Sequence, residues 1–386
     1  MNVAYIVDAV RTAGGRRNGK LAGWHPVDMG AEIINALLDR TGIDPNVIDD
    51  AIFGCVTQSG EQTFAFARNI VLASKLPLHI PGVTIDRQCG SSQQAVQFAA
   101  QAILSGMQDV VIAGGVESMS RSPMFSNSSF QAKAGLPADP LSQRIKDRFG
   151  VENFSQFSGA EMIAKKYGFN RNELDKYALL SHQRAKHATE SGAFKNEIVG
   201  LEVNGEIHQI DEGIRFDASL DSISSVKPLI EDGVVTAANA SQICDGASGV
   251  LVVSERALKE YNLTPKARLV HMSVSAGDPV VMLEEPIFAT QKALKKAGIK
   301  ISDIDLYEVN EAFAPVPLAW LQALNANPEG LNVNGGAIAL GHPLGASGTK
   351  LMTTLIHALH THGKRYGLQT MCEGGGMANV TILEAC

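Results

Sequence analysis

The chain has 386 residues, 45% hydrophobic and 19% charged, with a formal charge of −7 at neutral pH. That length exceeds one ordinary core and predicts two or three domains, and the composition is globular rather than disordered or fibrous. The acidic balance excludes broad binding to nucleic acid or anionic membranes, and no apolar run reaches the roughly 18–20 residues that cross a bilayer. An anionic ligand must therefore find its cations locally.

The chain opens on an apparent strand through residues 3–8, without the basic and apolar regions of a signal peptide, so a cytoplasmic setting is expected. Residues 51–56 read as a second strand. Val83-Thr84-Ile85 then leads into Asp86-Arg87-Gln88-Cys89-Gly90-Ser91-Ser92, with a helix predicted over 93–104. Val110-Val111-Ile112-Ala113 is a strand that ends in Gly114-Gly115-Val116-Glu117-Ser118. From about Met119 to Ile243 the texture turns polar, with helical runs at 160–167 and 171–191. This stretch reads as an inserted lobe, the kind that carries substrate contacts.

Residues 304–309 are again strand-like, and Leu331-Asn332-Val333-Asn334 leads through glycines to His342. A helix is predicted from 348 to about 362, and Leu368-Gln369-Thr370-Met371 runs into Cys372. The alternation favours an α/β class. The second part also repeats the plan of the first: Cys89 and His342 each precede a helix, and Gly374-Gly375 holds the place of Gly114-Gly115.

The chemistry gathers in three segments. The five cysteines (Cys55, Cys89, Cys244, Cys372, Cys386) form no C-x-x-C pair, so neither a disulfide framework nor a metal site is expected. A lone cysteine is commonly a core residue, but Cys89 sits where a strand hands over to a helix. Helix-start amides there stabilise a thiolate and lower its pKa. His342, in Gly341-His342-Pro343-Leu344-Gly345-Ala346-Ser347-Gly348, is a base on a loop whose glycines permit close approach. Cys372-Glu373-Gly374-Gly375-Gly376 offers a second thiol and open amides suited to an oxyanion hole. Asn310, in Asn310-Glu311-Ala312-Phe313, is either a helix cap or an amide that orients water. Two thiols, a base and open amides together suit acyl transfer through a thioester.

With these segments the chain resembles the thiolases, the family of acetyl-CoA acetyltransferases and 3-ketoacyl-CoA thiolases, from Asp8-Ala9-Val10-Arg11-Thr12 to its last strand. The resemblance implies a thiolase fold of two similar βαβαβαββ halves in a five-layered αβαβα core, with an inserted loop domain that binds coenzyme A. The corresponding divisions are residues 1–118 with about 244–264, then 119–243, then 265–386. It implies that Cys89 accepts the acyl group, that His342 draws off its proton, and that Cys372 exchanges a proton with the acetyl-CoA carbon. One oxyanion hole would use His342 and a water held by Asn310; the other would use the amides of Cys89 and Gly374. Arg215 and Ser222 would meet coenzyme A, Arg215 at its nucleotide end, and Ser241 its pantetheine. Coenzyme A and acyl-CoA enter as substrates, with no permanently bound cofactor. A homo-oligomer is implied, dimer or tetramer, with Gln62 and Arg68 in a segment like the family's dimer interface.

The sequence also departs from the short-chain biosynthetic pattern. A His-Met-Gly element of those enzymes is replaced by Ser155-Gln156-Phe157-Ser158-Gly159-Ala160-Glu161. The expectation is therefore a degradative thiolase for medium or bulky acyl chains, with a biosynthetic acetoacetyl-CoA thiolase as the alternative. Ser92 stands where a glycine is common, Glu373 sets a carboxyl beside Cys372, and Met282 is either an acyl-site wall or plain core. A ketoacyl synthase of the same fold would lack the second cysteine, and a non-catalytic lipid-binding relative would not need the full Cys-His-Cys set.

Overall fold

The central strands are buried on both faces, which is why they read as apolar runs rather than alternations. The computed structural model describes residues 2–386. In chain order the elements that build the core are β1 (Ala4–Thr12), α1 (Pro26–Thr41), β2 (Asp50–Gly54), α2 (Phe66–Ala73), β3 (Gly82–Ile85), α3 (Ser91–Leu104) and β4 (Val110–Ser118). Two lobe helices follow, α4 (Gln156–Tyr167) and α5 (Arg171–Glu190). The chain then returns through β5 (Cys244–Ser254), β6 (Ala267–Ala276), α6 (Glu285–Ala297), β7 (Leu306–Val309), α7 (Pro315–Leu324), α8 (Ser347–Thr361), β8 (Tyr366–Glu373) and β9 (Met377–Ala385).

The strand order is β3-β2-β4-β5-β1 in the first half and β6-β9-β8-β7 in the second. β3, β2 and β4 are parallel, whereas β5 and β1 run antiparallel to their neighbours. The second half repeats this pattern, with β7 parallel to β8, and β9 and β6 antiparallel. The halves meet where Tyr5 and Ile6 of β1 pair with Arg268 and Ala267 of β6.

One member of the repeat is incomplete. At the position that β3 takes in the first half, the second half has a single parallel bridge, Tyr307 to Leu331. The Asn332 side chain takes over from a strand there. Its Oδ1 accepts from Val309 N and its Nδ2 donates to Val309 O, both at 2.9 Å. At Val309 the edge of β7 is thus satisfied by an amide side chain, while Tyr307 O still accepts from the backbone N–H of Asn332 at 2.8 Å.

Three apolar clusters give the layers. α1 and α2 cover the outer face of the first half, with Ile33, Leu37, Phe66 and Ile70 against Phe53 and Leu251. α3 and α8 lie between the halves, where Val96, Ile103, Met352 and Ile356 meet Ile52, Val250, Leu306 and Leu383. α6 and α7 cover the second half, and the lobe joins them through Ile163 of α4 and Leu174 of α5, in one cluster with Trp320 and Val380. The order α-β-α-β-α is the five-layered arrangement expected from the resemblance. α5 starts on a capping box in which Asn170 and Glu173 bond each other's backbone amides. By contrast the N-cap residues of α3 and α8, Gly90 and Ala346, make no side-chain cap bond.

Candidate active site

Cys89 lies on the tight turn between β3 and α3. Asp86 Oδ1 accepts from Gln88 N at 2.6 Å, and Gln88 O accepts from Ser91 N at 3.0 Å. Gln88 itself is held at φ 49°, in the left-handed region that a side chain disfavours. The turn leaves the Cys89 thiol half-buried. Burial, and next the neighbouring Glu373 carboxylate, push its pKa up to about 12. The expected lowering by the helix start is therefore overturned: desolvation of a thiolate outweighs the amides, and Cys89 rests as a neutral thiol.

His342 follows Gly341, whose φ of 78° lets the chain turn into the loop. Its own N–H donates to Gln242 O at 2.9 Å. His342 Nδ1 lies 2.5 Å from Ser347 Oγ, which in turn donates to Pro343 O at 2.9 Å. With that hydrogen committed, Ser347 accepts from Nδ1–H, and the lone pair of the imidazole sits on Nε2. Nε2 faces Asn310 Nδ2 at 3.3 Å. Burial, and then the charge of Lys350, lower the His342 pKa to about 3, so the ring is a neutral base. Asn310 is buried, its backbone N–H donating to Thr370 O at 3.1 Å; its Oδ1 has no partner among the described residues.

Glu117 ties this loop to the first half. Its buried carboxylate accepts from Val56 N at 2.9 Å, Thr57 N and Gln62 Nε2 at 3.0 Å, and Gly345 N at 2.8 Å. Gln62 also accepts from Ser118 N at 2.7 Å, so both ends of its amide bond within the chain. Arg68 likewise donates to Leu78 O at 2.8 Å.

Cys372 is buried next to the last residue of β8. Burial, and then the charge of Cys89, raise its pKa well above the usual thiol range, so the two sulfurs feel each other. Their loops interlock. A Cβ on Gly374 would lie 2.8 Å from Gln88 Oε1, and Arg87 Nη1 reaches Met377 Sδ at 3.8 Å. Ser92, where a glycine was the common residue, accepts from Thr349 N at 3.0 Å and so joins the first turns of α3 and α8. The structure thus brings the loops of Cys89, His342 and Cys372 to one end of the two central helices.

A cavity of about 440 Å³ opens beside His342. Ser241, Phe313, Phe157 and Leu344 line it, together with Arg16 and Arg17. The end of the lobe is laced to the second half here: Ser241 N donates to Ala312 O at 2.9 Å, and Gln242 Nε2 to Ile338 O at 2.7 Å. Phe157, from the stretch that departs from the short-chain pattern, packs edge-on against Phe313 with centroids 5.7 Å apart. Arg215 and Ser222 are exposed and stand outside the cavity wall. Arg215 N donates to His182 Nδ1 at 3.2 Å, and the Ser222 hydroxyl closes a capping box with Ser219. Met282 is core, buried with φ 61°.

Sequence reading missed Arg16, Arg17, Ser347 and Glu311. The pair Arg16-Arg17, after Gly14-Gly15 and the first strand, was a usable signal for a local cationic patch. Glu311 belongs to the Asn310-Glu311-Ala312-Phe313 motif. It accepts from Tyr177 Oη at 2.9 Å, Ser181 Oγ at 2.7 Å and Ile338 N at 3.0 Å, pinning α5 to the segment that precedes His342.

Comparison with known proteins agrees with this architecture. The family descriptions thiolase N-terminal domain and thiolase C-terminal domain match residues 4–256 and 263–385. A steroid 3-ketoacyl-CoA thiolase, FadA6 of Mycobacterium tuberculosis, is 53% identical over 386 residues, covering all of this chain and 94% of that protein. The 3-ketoacyl-CoA thiolases of Shewanella loihica and Bacillus subtilis are 41% identical over 397 residues and 39% over 401, each covering the full length of both chains. The chain belongs to the thiolase family of acyltransferases.

Proposed function

We propose that the protein is a degradative thiolase that cleaves medium or bulky 3-ketoacyl-CoA with coenzyme A, through a thioester on Cys89. The observation that carries this is the meeting of the Cys89, His342 and Cys372 loops at the starts of α3 and α8. His342 Nε2 takes the Cys89 proton as sulfur attacks the 3-keto carbon. Two oxyanion holes serve the carbonyl oxygens, one made of His342 with a water on Asn310, the other of the amides of Cys89 and Gly374. Carbon–carbon cleavage then releases the acetyl-CoA carbanion, which takes the proton of Cys372. A thiol whose pKa lies well above the ordinary range carries that proton at neutral pH. Coenzyme A next attacks the Cys89 thioester, and its thiol proton restores the resting state.

Residues 119–243 are read as the loop domain for coenzyme A, between halves formed by 1–118 with about 244–264 and by 265–386. Ser241 faces pantetheine, Arg215 serves the nucleotide end, and Ser222 is a further coenzyme A contact. Arg16 and Arg17 supply the local cations that a chain of net charge −7 needs for phosphates. The Gln156-Phe157 pair and a relative named for steroid 3-ketoacyl-CoA both favour bulky acyl groups.

A homo-oligomer, dimer or tetramer, is favoured by the edge strand β3. Val83 on β3 is 44% exposed, and nearby Phe64 and Leu78 are 89% and 77% exposed. Five unpaired cysteines suit a reducing compartment, the cytoplasm; among the described residues no helix is long and apolar enough to cross a membrane.

The experiment is brief exposure to acetyl-CoA followed by peptide mass spectrometry. An acetyl adduct on Cys89 is expected, together with thiolysis that is faster for a ring-bearing 3-ketoacyl-CoA than for acetoacetyl-CoA. An adduct that persists in Cys89→Ala rejects the thioester, and the reverse order of rates rejects the substrate class.

A further inference from the structure

Cys372 and Glu373 end β8, and adjacent side chains on a strand leave opposite faces. Cys372 joins the outer core of the second half, while Glu373 turns inward under the start of α3. Glu373 is 0% exposed, and neither of its carboxyl oxygens has a hydrogen-bond partner among the described residues. Oε1 and Asn379 Oδ1 both crowd the same side of Gly90: a Cβ there would collide with both atoms at once. Asn379 Oδ1 also lacks a donor among the described residues.

Turning the Asn379 amide round does not solve this. Gln97 Nε2 donates to Val380 O at 3.1 Å, a carbonyl that can only accept. That bond fixes Gln97 Oε1 as the acceptor of Asn379 Nδ2 at 3.3 Å, so Asn379 must present its oxygen to Glu373. Oxygens crowded in a dry pocket without a hydrogen between them are not a stable arrangement. The surroundings offer few charges. The loop before α3 brings Asp86, Arg87 and Cys89, and Cys372 is next on the same strand. The neighbours from α3 and β9 are neutral, namely Gln94, Gln97 and Asn379.

We infer that Glu373 is held as a neutral carboxylic acid whose O–H donates to Asn379 Oδ1, and that this bond positions the Cys372 turn against Gly90, the residue after Cys89. Glu373 is thus a positioning residue whose proton also keeps a negative charge away from the nucleophile. The assignment rests on the roles proposed above for the two cysteines. Burial pushes the Glu373 pKa up to about 9 against the Arg87 charge and the Asn379 backbone N–H, which favour the ionised form, consistent with an acid form at neutral pH; its ionised form is the second cause that raises the Cys89 pKa. Loss of the proton therefore breaks the bond to Asn379 and hinders formation of the Cys89 thiolate together.

The test pairs infrared spectroscopy with single-turnover acetylation of Cys89 by acetyl-CoA, on the full-length wild type and on Glu373→Gln and Glu373→Ala. At pH 7 the wild type should carry a carboxylic-acid C=O band that Glu373→Gln lacks. Its acetylation rate should fall as pH passes about 9, and in Glu373→Gln that limb should move up by about one pH unit or more. Glu373→Ala should acetylate at least ~10-fold slower at pH 7, with most of the loss recovered in Glu373→Gln, whose amide N–H reaches Asn379 Oδ1. Identical carboxylic-acid spectra of wild type and Glu373→Gln, or an unmoved alkaline limb, overturn the proposal. Should Glu373→Gln fail to fold, Asn379→Ala replaces it: its acid band should rise in frequency because the O–H has lost its acceptor, and an unshifted band overturns the proposal. The infrared arm reads the Glu373 proton whether or not the protein turns over 3-ketoacyl-CoA, so failure of the functional reading stays distinguishable.

Discussion

Ser347 gives its hydrogen to Pro343 O at 2.9 Å and therefore takes the Nδ1 hydrogen of His342 at 2.5 Å. This fixes Nε2 as the basic nitrogen, the one that faces Asn310. In Ser347→Ala the buried Nδ1–H loses its acceptor, and the ring is free to change tautomer or orientation. A buried hydrogen bond of this kind is worth about 1–3 kcal/mol, so kcat should fall roughly 10–100-fold with KM little changed. Steady-state thiolysis measures the split between kcat and KM, and nitrogen NMR of the imidazole reads the tautomer. A variant that keeps wild-type kcat would show that Ser347 does not orient the base. The motif around His342 was legible in the sequence, but the role of Ser347 was not, because it depends on the direction of one hydroxyl hydrogen. The Cys89 pKa was misread for a related reason: a helix start is visible in sequence, whereas the burial that outweighs it and the carboxyl of Glu373 come from remote parts of the chain.

α3 and α8 meet at their first turns with almost no side chain between them. A Cβ on Gly348 would collide with the Gln93 backbone N and lie 2.7 and 2.8 Å from Gln93 Cβ and Cα. A Cβ on Gly345 would come within 2.7 Å of Cys55 Cα. Two effects of opposite sign compete in Gly348→Ala. Alanine in a helix gains about 1 kcal/mol over glycine, but overpacking against backbone costs about 1–3 kcal/mol. Gln93 cannot yield by a rotamer change, so the clash should win. A urea midpoint lower by the equivalent of about 1–2 kcal/mol is expected, along with lost thiolysis as the His342 and Cys89 loops part. A variant as stable and as active as wild type would refute this close contact. The two helices were legible within two residues at their starts, and so were most of the strands, because they are apolar runs and several abut glycines. The stretch 331–334 was not legible as a single bridge. Its sequence suits a strand, and only the fold reveals that the Asn332 side chain bonds Val309 instead.

Across the whole molecule, what sequence could not convey is how the lobe grips the second half. Glu311 holds Tyr177 and Ser181, 134 and 130 residues away, and nothing local marks such a partner. The same long-range packing buries histidines in their neutral form. His182 on α5 is 3% exposed, and its Nδ1 accepts from Arg215 N at 3.2 Å. Burial, and then the Arg215 charge, lower its pKa from 6.5 to about 4. Between those values the unfolded chain binds a proton that the folded chain refuses, so acid favours unfolding. The loss begins as pH drops below 6.5, reaches about 1.4 kcal/mol per pH unit and levels off below the folded value. From pH 6.5 to 4.5 this group alone should cost the wild type roughly 2 kcal/mol. In His182→Gln the amide oxygen still accepts from Arg215 N, but nothing titrates. His342 and His357, lowered to about 3 and about 4, remain in both proteins and cancel in the difference. Urea unfolding at the two pH values and one fixed protein concentration should find the variant losing roughly 2 kcal/mol less than wild type. Equal losses would mean that His182 already carries its proton in the folded protein.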